Sequence, residues 1–221
     1  MVQSDRRSHM ALKRLLDVTA AAGGLVVLSP ILGLISTALL VTQGRPVLFR
    51  QRRPGLHGIP FTIIKFRTMR APGPGEVAHQ TDRQRLTRLG SALRTTSLDE
   101  LPELWNVLRG EMSLVGPRPL LMEYLDTYTQ RQQRRHEMRP GVTSWAAVNG
   151  RHMLHFDERI ELDIWYVEHW SLLLDLRILA VTARQVLLRR HVASTQDPTE
   201  IGFPLSTTAP QRRDADHGNG G

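Results

Sequence analysis

Two neighbouring carboxylates, Asp99 and Glu100, lie in the segment Thr95-Thr96-Ser97-Leu98-Asp99-Glu100-Leu101-Pro102. The 221-residue chain around them carries a formal net charge of +8. In so basic a protein, a carboxylate pair suits phosphate chemistry. One carboxylate can coordinate Mg²⁺ and attack phosphorus, and the other can hold metal, water or a proton. A plainer reading is a helix cap, since Ser97 and Glu100 have the Ser-x-x-Glu spacing of a capping box and Asp99 would complement the helix dipole. Pro102 opposes it: with Ser97 as the cap, a proline falls where a backbone N–H is needed. A helix opening at Pro102 suits the ring and leaves Asp99 and Glu100 on the loop before it.

A diphosphate substrate needs its charge neutralised, and the planar fork of arginine does this in bidentate fashion. Arg94, Arg109, Arg118, Arg139 and Arg151 are the candidates around the pair. Gly116-Pro117-Arg118-Pro119 holds one of them between two prolines, a stiff mount for a charge or a simple turn.

The elements that position these groups begin with an apolar run. No residue between Asp17 and Arg45 is charged, and residues 18–41 are mainly Ala, Val, Leu and Ile. At 1.5 Å per residue the run can cross a hydrocarbon core about 30 Å thick. A signal peptide is a poor fit, because the run is long and no small-residue cleavage site ends it. A buried core helix and a simple spanning helix remain as alternatives. Basic residues flank both ends: Arg6, Arg7, Lys13 and Arg14 before, Arg45, Arg50, Arg52 and Arg53 after. Positive charge favours the cytoplasmic side, so both ends are expected there. Ser29-Pro30, near the middle, supplies a place for the helix to bend and return.

Beyond the run, Val47 to Arg53 and Pro60 to Phe66 read as strands of a β-hairpin. Helices are expected over residues 83–94, 102–108, 123–138, 156–168 and 172–190. Trp165, Tyr166 and Trp170, with Arg184, Arg189 and Arg190, suit either a membrane interface or an ordinary amphipathic pair of helices. The fold class is therefore α+β and mainly helical. It divides into a basic N-terminal segment (1–10), a re-entrant membrane helix (11–44), a cytosolic catalytic domain (45–190) and a polar tail (191–221) expected to be disordered. There is no cysteine, which excludes disulfides and thiolate metal sites.

The chain resembles the bacterial sugar transferases, the monotopic polyprenyl-phosphate phosphoglycosyl transferases. The likeness runs from Lys13-Arg14-Leu15-Leu16-Asp17 to about Leu188. It takes in Ser29-Pro30, Lys65-Phe66-Arg67-Thr68-Met69, Asp99-Glu100-Leu101-Pro102, Met112-Ser113-Leu114-Val115-Gly116-Pro117-Arg118-Pro119, Arg139-Pro140-Gly141-Val142-Thr143, Val148-Asn149-Gly150-Arg151 and Glu161-Leu162-Asp163. The resemblance implies a helix hairpin bent at Ser29-Pro30 and an active site on the cytoplasmic face of the bacterial inner membrane. Asp99 would attack the sugar-linked phosphate of a UDP-sugar and expel UMP, with Mg²⁺ at Asp99 and Glu100. A polyprenyl phosphate, commonly undecaprenyl phosphate, would then take the phosphosugar from the aspartate. Lys65, Arg94, Arg118 and Arg151 align with positions expected near the phosphates. The chain carries no multi-helix membrane region of the kind found in larger relatives, and is expected to be a minimal catalytic form.

Ser144-Trp145-Ala146-Ala147 departs from the family pattern, which usually has a Gly and a Gln there, and His152 follows Arg151 where Asn is frequent. These changes bear on sugar or nucleotide preference and leave the carboxylate pair untouched. A membrane-surface scaffold without chemistry is the competing function. Nucleic-acid binding rests on charge alone, with no recognisable motif, so no nucleic-acid partner is expected.

Overall fold

The computed structural model describes residues 2–73, 82–150 and 155–188. Its first element, α1 (Val2–Gln43), is a single helix with Pro30 inside it. Hydroxyls in the apolar stretch bond back to the helix's own carbonyls: Ser29 Oγ to Val26 O at 2.7 Å, Ser36 to Leu32 O, Thr37 to Gly33 O and Thr42 to Ala38 O. Polar side chains thereby spend their hydrogen bonds internally, which suits apolar surroundings. Helix runs through Ser29-Pro30, so proline does not interrupt it as a loop would.

Both ends of α1 are fastened to the rest of the molecule. Near its start, Lys13 Nζ donates to Val115 O (3.0 Å) and to Asp175 (2.5 Å), and Asp17 accepts from Leu114 N–H (3.0 Å). Near its end, Ile35 and Leu39 pack with Phe66 and Leu93, and Gln43 Nε2 donates to Thr87 Oγ1. Between these anchors Val26, Val27 and Leu34 are more than 70% exposed.

Strands β1 (Leu48–Pro54) and β2 (Pro60–Phe66) form an antiparallel hairpin paired from Leu48↔Phe66 to Pro54↔Pro60. The helical stretch expected at 83–94 is split into α2 (Asp82–Arg85) and α3 (Arg88–Thr95). Leu86 leaves the helix to bridge Met69, and the Thr87 hydroxyl caps α3 by accepting from Gly90 N–H. Helix α4 (Glu103–Arg109) follows, with Pro102 as its N-cap. Asn106 of α4 is fully buried and closes the edge of β2, accepting from Ile64 N–H and donating to Thr62 O. Its amide imitates a strand residue and satisfies backbone groups that burial would otherwise leave unpaired.

Strand β3 (Ser113–Val115) pairs in parallel with β4 (Gly141–Thr143), an element not anticipated from these short runs. Between them, the single polar helix expected over 123–138 is instead two 3₁₀ segments flanking α5 (Gln130–Gln133). Arg135 and His136 are turned inward there, which a continuous solvated helix does not require. The remaining helices are α6 (Trp145–Val148), α7 (Phe156–His169) and α8 (Leu172–Leu187).

Of the aromatic residues considered for a membrane interface, Tyr166 is buried. Its hydroxyl donates to Asp175 (2.6 Å) and Val115 O (3.2 Å). Trp170 Nε1 donates to Asp175 as well, while Trp165 stacks at the surface between Trp145 and His169. Tyr166 and Trp170 are thus packing residues. Arg189, Arg190 and the tail from 191 lie outside the described residues.

Candidate active site

A single 3₁₀ turn, Leu98–Glu100, presents the carboxylate pair. Ser97 precedes it in the left-handed region (φ 55°), which ends α3 and reverses the chain toward Pro102. That conformation is unusual for a residue with a Cβ. The capping box is not formed: Ser97 makes no side-chain cap, and the Glu100 side chain is engaged elsewhere.

Glu100 Oε1 accepts from Lys65 Nζ at 3.0 Å and from Arg118 Nη2 at 2.8 Å. Three elements far apart in sequence therefore meet at one oxygen. Lys65 comes from β2, Glu100 from the 3₁₀ turn and Arg118 from the loop after β3. Asp99, next to Glu100, is itself buried. Glu103, on the first turn of α4, is 2% exposed and places Oε1 3.3 Å from Lys65 Nζ. Burial pushes the Glu103 carboxyl well above the usual carboxylate range, and nearby Glu100 adds to this, against the pull of Lys65 and Arg118.

The mount of Arg118 explains its flanking residues. Gly141 N–H donates to Pro117 O and Gly116 N–H to Thr143 O, so the loop is stitched to β4. A Cβ on Gly116 would come within 2.2 Å of Arg139 O, which leaves room for glycine alone. Behind the loop, Arg135 Nη2 donates to Arg118 O at 2.7 Å and Arg53 Nη1 to Pro119 O. Arg135 is also ion-paired with Asp163 and bonded to Tyr128 Oη (3.1 Å), all deep in the protein.

The structure thus brings together Lys65, Glu100 and Arg118, with Asp99 beside them. Arg94 stands on the last turn of α3, where its Nε donates to Thr68 Oγ1. Arg109 pairs with Glu111 at the surface, and Arg139 Nε donates to Gly110 O. Arg151 and His152 lie outside the described residues.

The model of the bacterial sugar transferases matches residues 8–189. The chain belongs to the bacterial sugar transferase family. This transferase is 49% identical over 194 residues to the Bacillus subtilis sugar transferase EpsL, covering 88% of the chain and 96% of the relative. It is 44% identical to a UDP-glucose:undecaprenyl-phosphate glucose-1-phosphate transferase of Caulobacter vibrioides, over 79% of the chain and 69% of the relative. A Klebsiella pneumoniae protein of the same name is 40% identical over 79% of the chain, which spans only 40% of that relative. By this membership the protein is a sugar-phosphate-transferring enzyme.

Sequence reasoning missed two members of the site. Glu103 follows Glu100 by three residues, a spacing that returns it to the same side of a helical turn. Arg135, which holds the Arg118 carbonyl, sits in a run of charged residues that reads as a solvated face; nothing local marks it for burial.

Asp99 and Glu100 offer carboxylate oxygens, the ligand type Mg²⁺ prefers, and Glu100 Oε1 already accepts from Lys65 and Arg118. Among the described residues no group of three acidic or histidine side chains forms a closed metal cage. Two carboxylates suit Mg²⁺, which takes one or two from protein and completes its shell with water and substrate phosphates.

Proposed function

We propose that this transferase moves a sugar 1-phosphate from a UDP-sugar to a polyprenyl phosphate, releasing UMP, at the cytoplasmic face of the bacterial inner membrane. The observation that carries the reading is the convergence of Lys65 and Arg118 on Glu100, beside the buried Asp99. Relatives named for transfer of glucose 1-phosphate to undecaprenyl phosphate support the donor and acceptor classes.

In the proposed first step an Asp99 carboxylate oxygen attacks the sugar-linked phosphorus, and the bond from that phosphorus to the UMP oxygen breaks. An acyl phosphate on Asp99 results. A phosphate oxygen of the polyprenyl acceptor then attacks the same phosphorus, the bond to Asp99 breaks, and polyprenyl-diphospho-sugar leaves. Asp99 and Glu100 would hold Mg²⁺, which supplies Lewis-acid stabilisation of the phosphate charge. Lys65 and Arg118 offset the diphosphate charge from a low-dielectric wall where such charges act strongly. Arg94 and Arg151 are proposed to assist at the phosphates.

The proposed membrane arrangement is re-entrant, with α1 entering and leaving on one side. The uncharged part of α1, residues 18–43, makes about 39 Å of straight helix at 1.5 Å per residue, and Lys13 and Asp17 just before it are held in the domain by Val115, Asp175 and Leu114. Only 11% of its most apolar window is buried in protein, which speaks against a core helix. Attachment of both ends to the same domain, with basic residues at each flank, favours a bend near Ser29-Pro30 over a simple crossing.

The test is UMP release by membrane fractions supplied with Mg²⁺, polyprenyl phosphate and a panel of UDP-sugars. Asp99→Asn is expected to lower turnover by about 10³-fold or more without unfolding the protein. Incubation with donor alone should leave a phosphosugar on the peptide containing Asp99. Full activity in Asp99→Asn would rule out the covalent route.

A further inference from the structure

Of the 29 basic residues in the chain only two are lysines, Lys13 and Lys65; the rest are arginines. Both lysines are buried, and each meets a carboxylate. A lysine ammonium is a compact point charge on a flexible four-carbon stem, whereas arginine is a wide, rigid fork. Lys65 therefore fits a narrow space but needs restraint to hold one position.

Glu103 supplies a restraint beside Glu100. Its Oε1 is 3.3 Å from Lys65 Nζ, which also contacts Glu100 Oε1 at 3.0 Å. The carboxyl is shut inside the protein at the start of α4, and the roots of both side chains are locked together. Lys65 leaves β2 next to Ile64, whose N–H is held by Asn106, one helical turn beyond Glu103 on α4. Strand, helix and ammonium thus form one rigid frame.

We propose that Glu103 is a positioning residue: it fixes the Lys65 ammonium through a second carboxyl oxygen beside that of Glu100, and so sets where Lys65 and Glu100 meet the substrate phosphates. The role rests on the catalytic reading above but is tested apart from it. Glu103 touches no substrate in this scheme. It acts through Lys65, and it needs only an acceptor oxygen in that place, which an amide also provides.

The experiment compares Glu103→Gln and Glu103→Leu in the full chain in detergent or nanodiscs. It reads kcat and KM for UMP release, thermal melting, and the rate at which a soluble amine-acylating reagent labels Lys65. Lys13 is the internal control, being the only other lysine. Glu103→Gln is expected to stay within about 3-fold of the unsubstituted kcat. Glu103→Leu is expected to lose about 100-fold in kcat with KM within about 3-fold, as for a small misplacement of a reacting group. In Glu103→Leu, Lys65 should acylate at least about 10-fold faster while Lys13 is unchanged, since a lysine with one partner lost is less restrained.

A folded Glu103→Leu with native kcat and native Lys65 labelling overturns the proposal. So does a loss in Glu103→Gln matching that in Glu103→Leu, which would mean that charge rather than an acceptor oxygen is required. Should Glu103→Leu fail to fold, Glu103→Gln decides the matter on kcat and labelling alone. Absence of UMP release by the unsubstituted protein would sink the catalytic reading instead, and the labelling rates would still report on Glu103 and Lys65.

Discussion

Replacing Asp163 by asparagine should separate the support of the active site from its chemistry. Asp163 and Arg135 form an ion pair with side chains 4% and 1% exposed, so neither has water to fall back on. The Arg135 guanidinium also serves Arg118 O and Tyr128 Oη. Asparagine keeps one acceptor oxygen but removes the charge, leaving a buried cation without its counter-ion. Breaking a pair of this kind costs about 3–5 kcal/mol, and the retained oxygen places the expectation near about 3. Urea titration in detergent, followed by tryptophan fluorescence, should show the midpoint falling by about 1–2 M. UMP release should fall too, because the carbonyl of Arg118 loses a firm hold. The double variant Arg135→Met with Asp163→Leu should regain much of the stability, less about 1–3 kcal/mol for each polar group left without Arg135. Its activity should stay low. A midpoint shift below about 0.3 M for Asp163→Asn would refute the assigned worth of the pair. Recovery of activity in the double variant would refute the link to Arg118.

Other consequences are as direct. Burial, with Arg135 nearby, pulls the His136 imidazole down to about 4 from 6.5. Between those values the unfolded chain binds a proton that the folded one refuses, so stability falls as pH drops from 6.5 towards 4 and is fully retained above 6.5. The total is about 3 kcal/mol, and Gln at position 136 should flatten that part of a stability–pH curve. Gly116→Ala forces a methyl group against Arg139 O and should cost about 1–3 kcal/mol in denaturant titration, with a lower kcat as the Arg118 loop shifts. Asn106→Ala uncovers Ile64 N–H and Thr62 O at the edge of β2 and should cost about 1–3 kcal/mol, with amide exchange at Ile64 accelerated.

Local chemistry made several features legible without coordinates. The apolar run, the β-hairpin, the helix opened by Pro102 and the acidic pair each depend on residues adjacent in sequence, or on a short periodicity. The last two helices were placed within a few residues for the same reason. What depends on contact between distant segments was not legible. The polar stretch around Arg135 reads as one exposed helix. It breaks where Arg135 turns inward to Tyr128 and to Asp163 and the Arg118 carbonyl, the last two supplied by other segments. The pairing of β3 with β4 needs Gly116 and Gly141 back to back, a fact about two backbones and not about either segment.

The residue types of the site were settled by the sequence itself: two carboxylates on a turn, an arginine between prolines, a lysine in a basic strand. Their meeting at Glu100 Oε1 was decided by tertiary structure, as was the inclusion of Glu103. Electrostatic partnership falls off within a few ångströms once water is present, so it exists only where the fold has already brought the charges together and excluded the solvent.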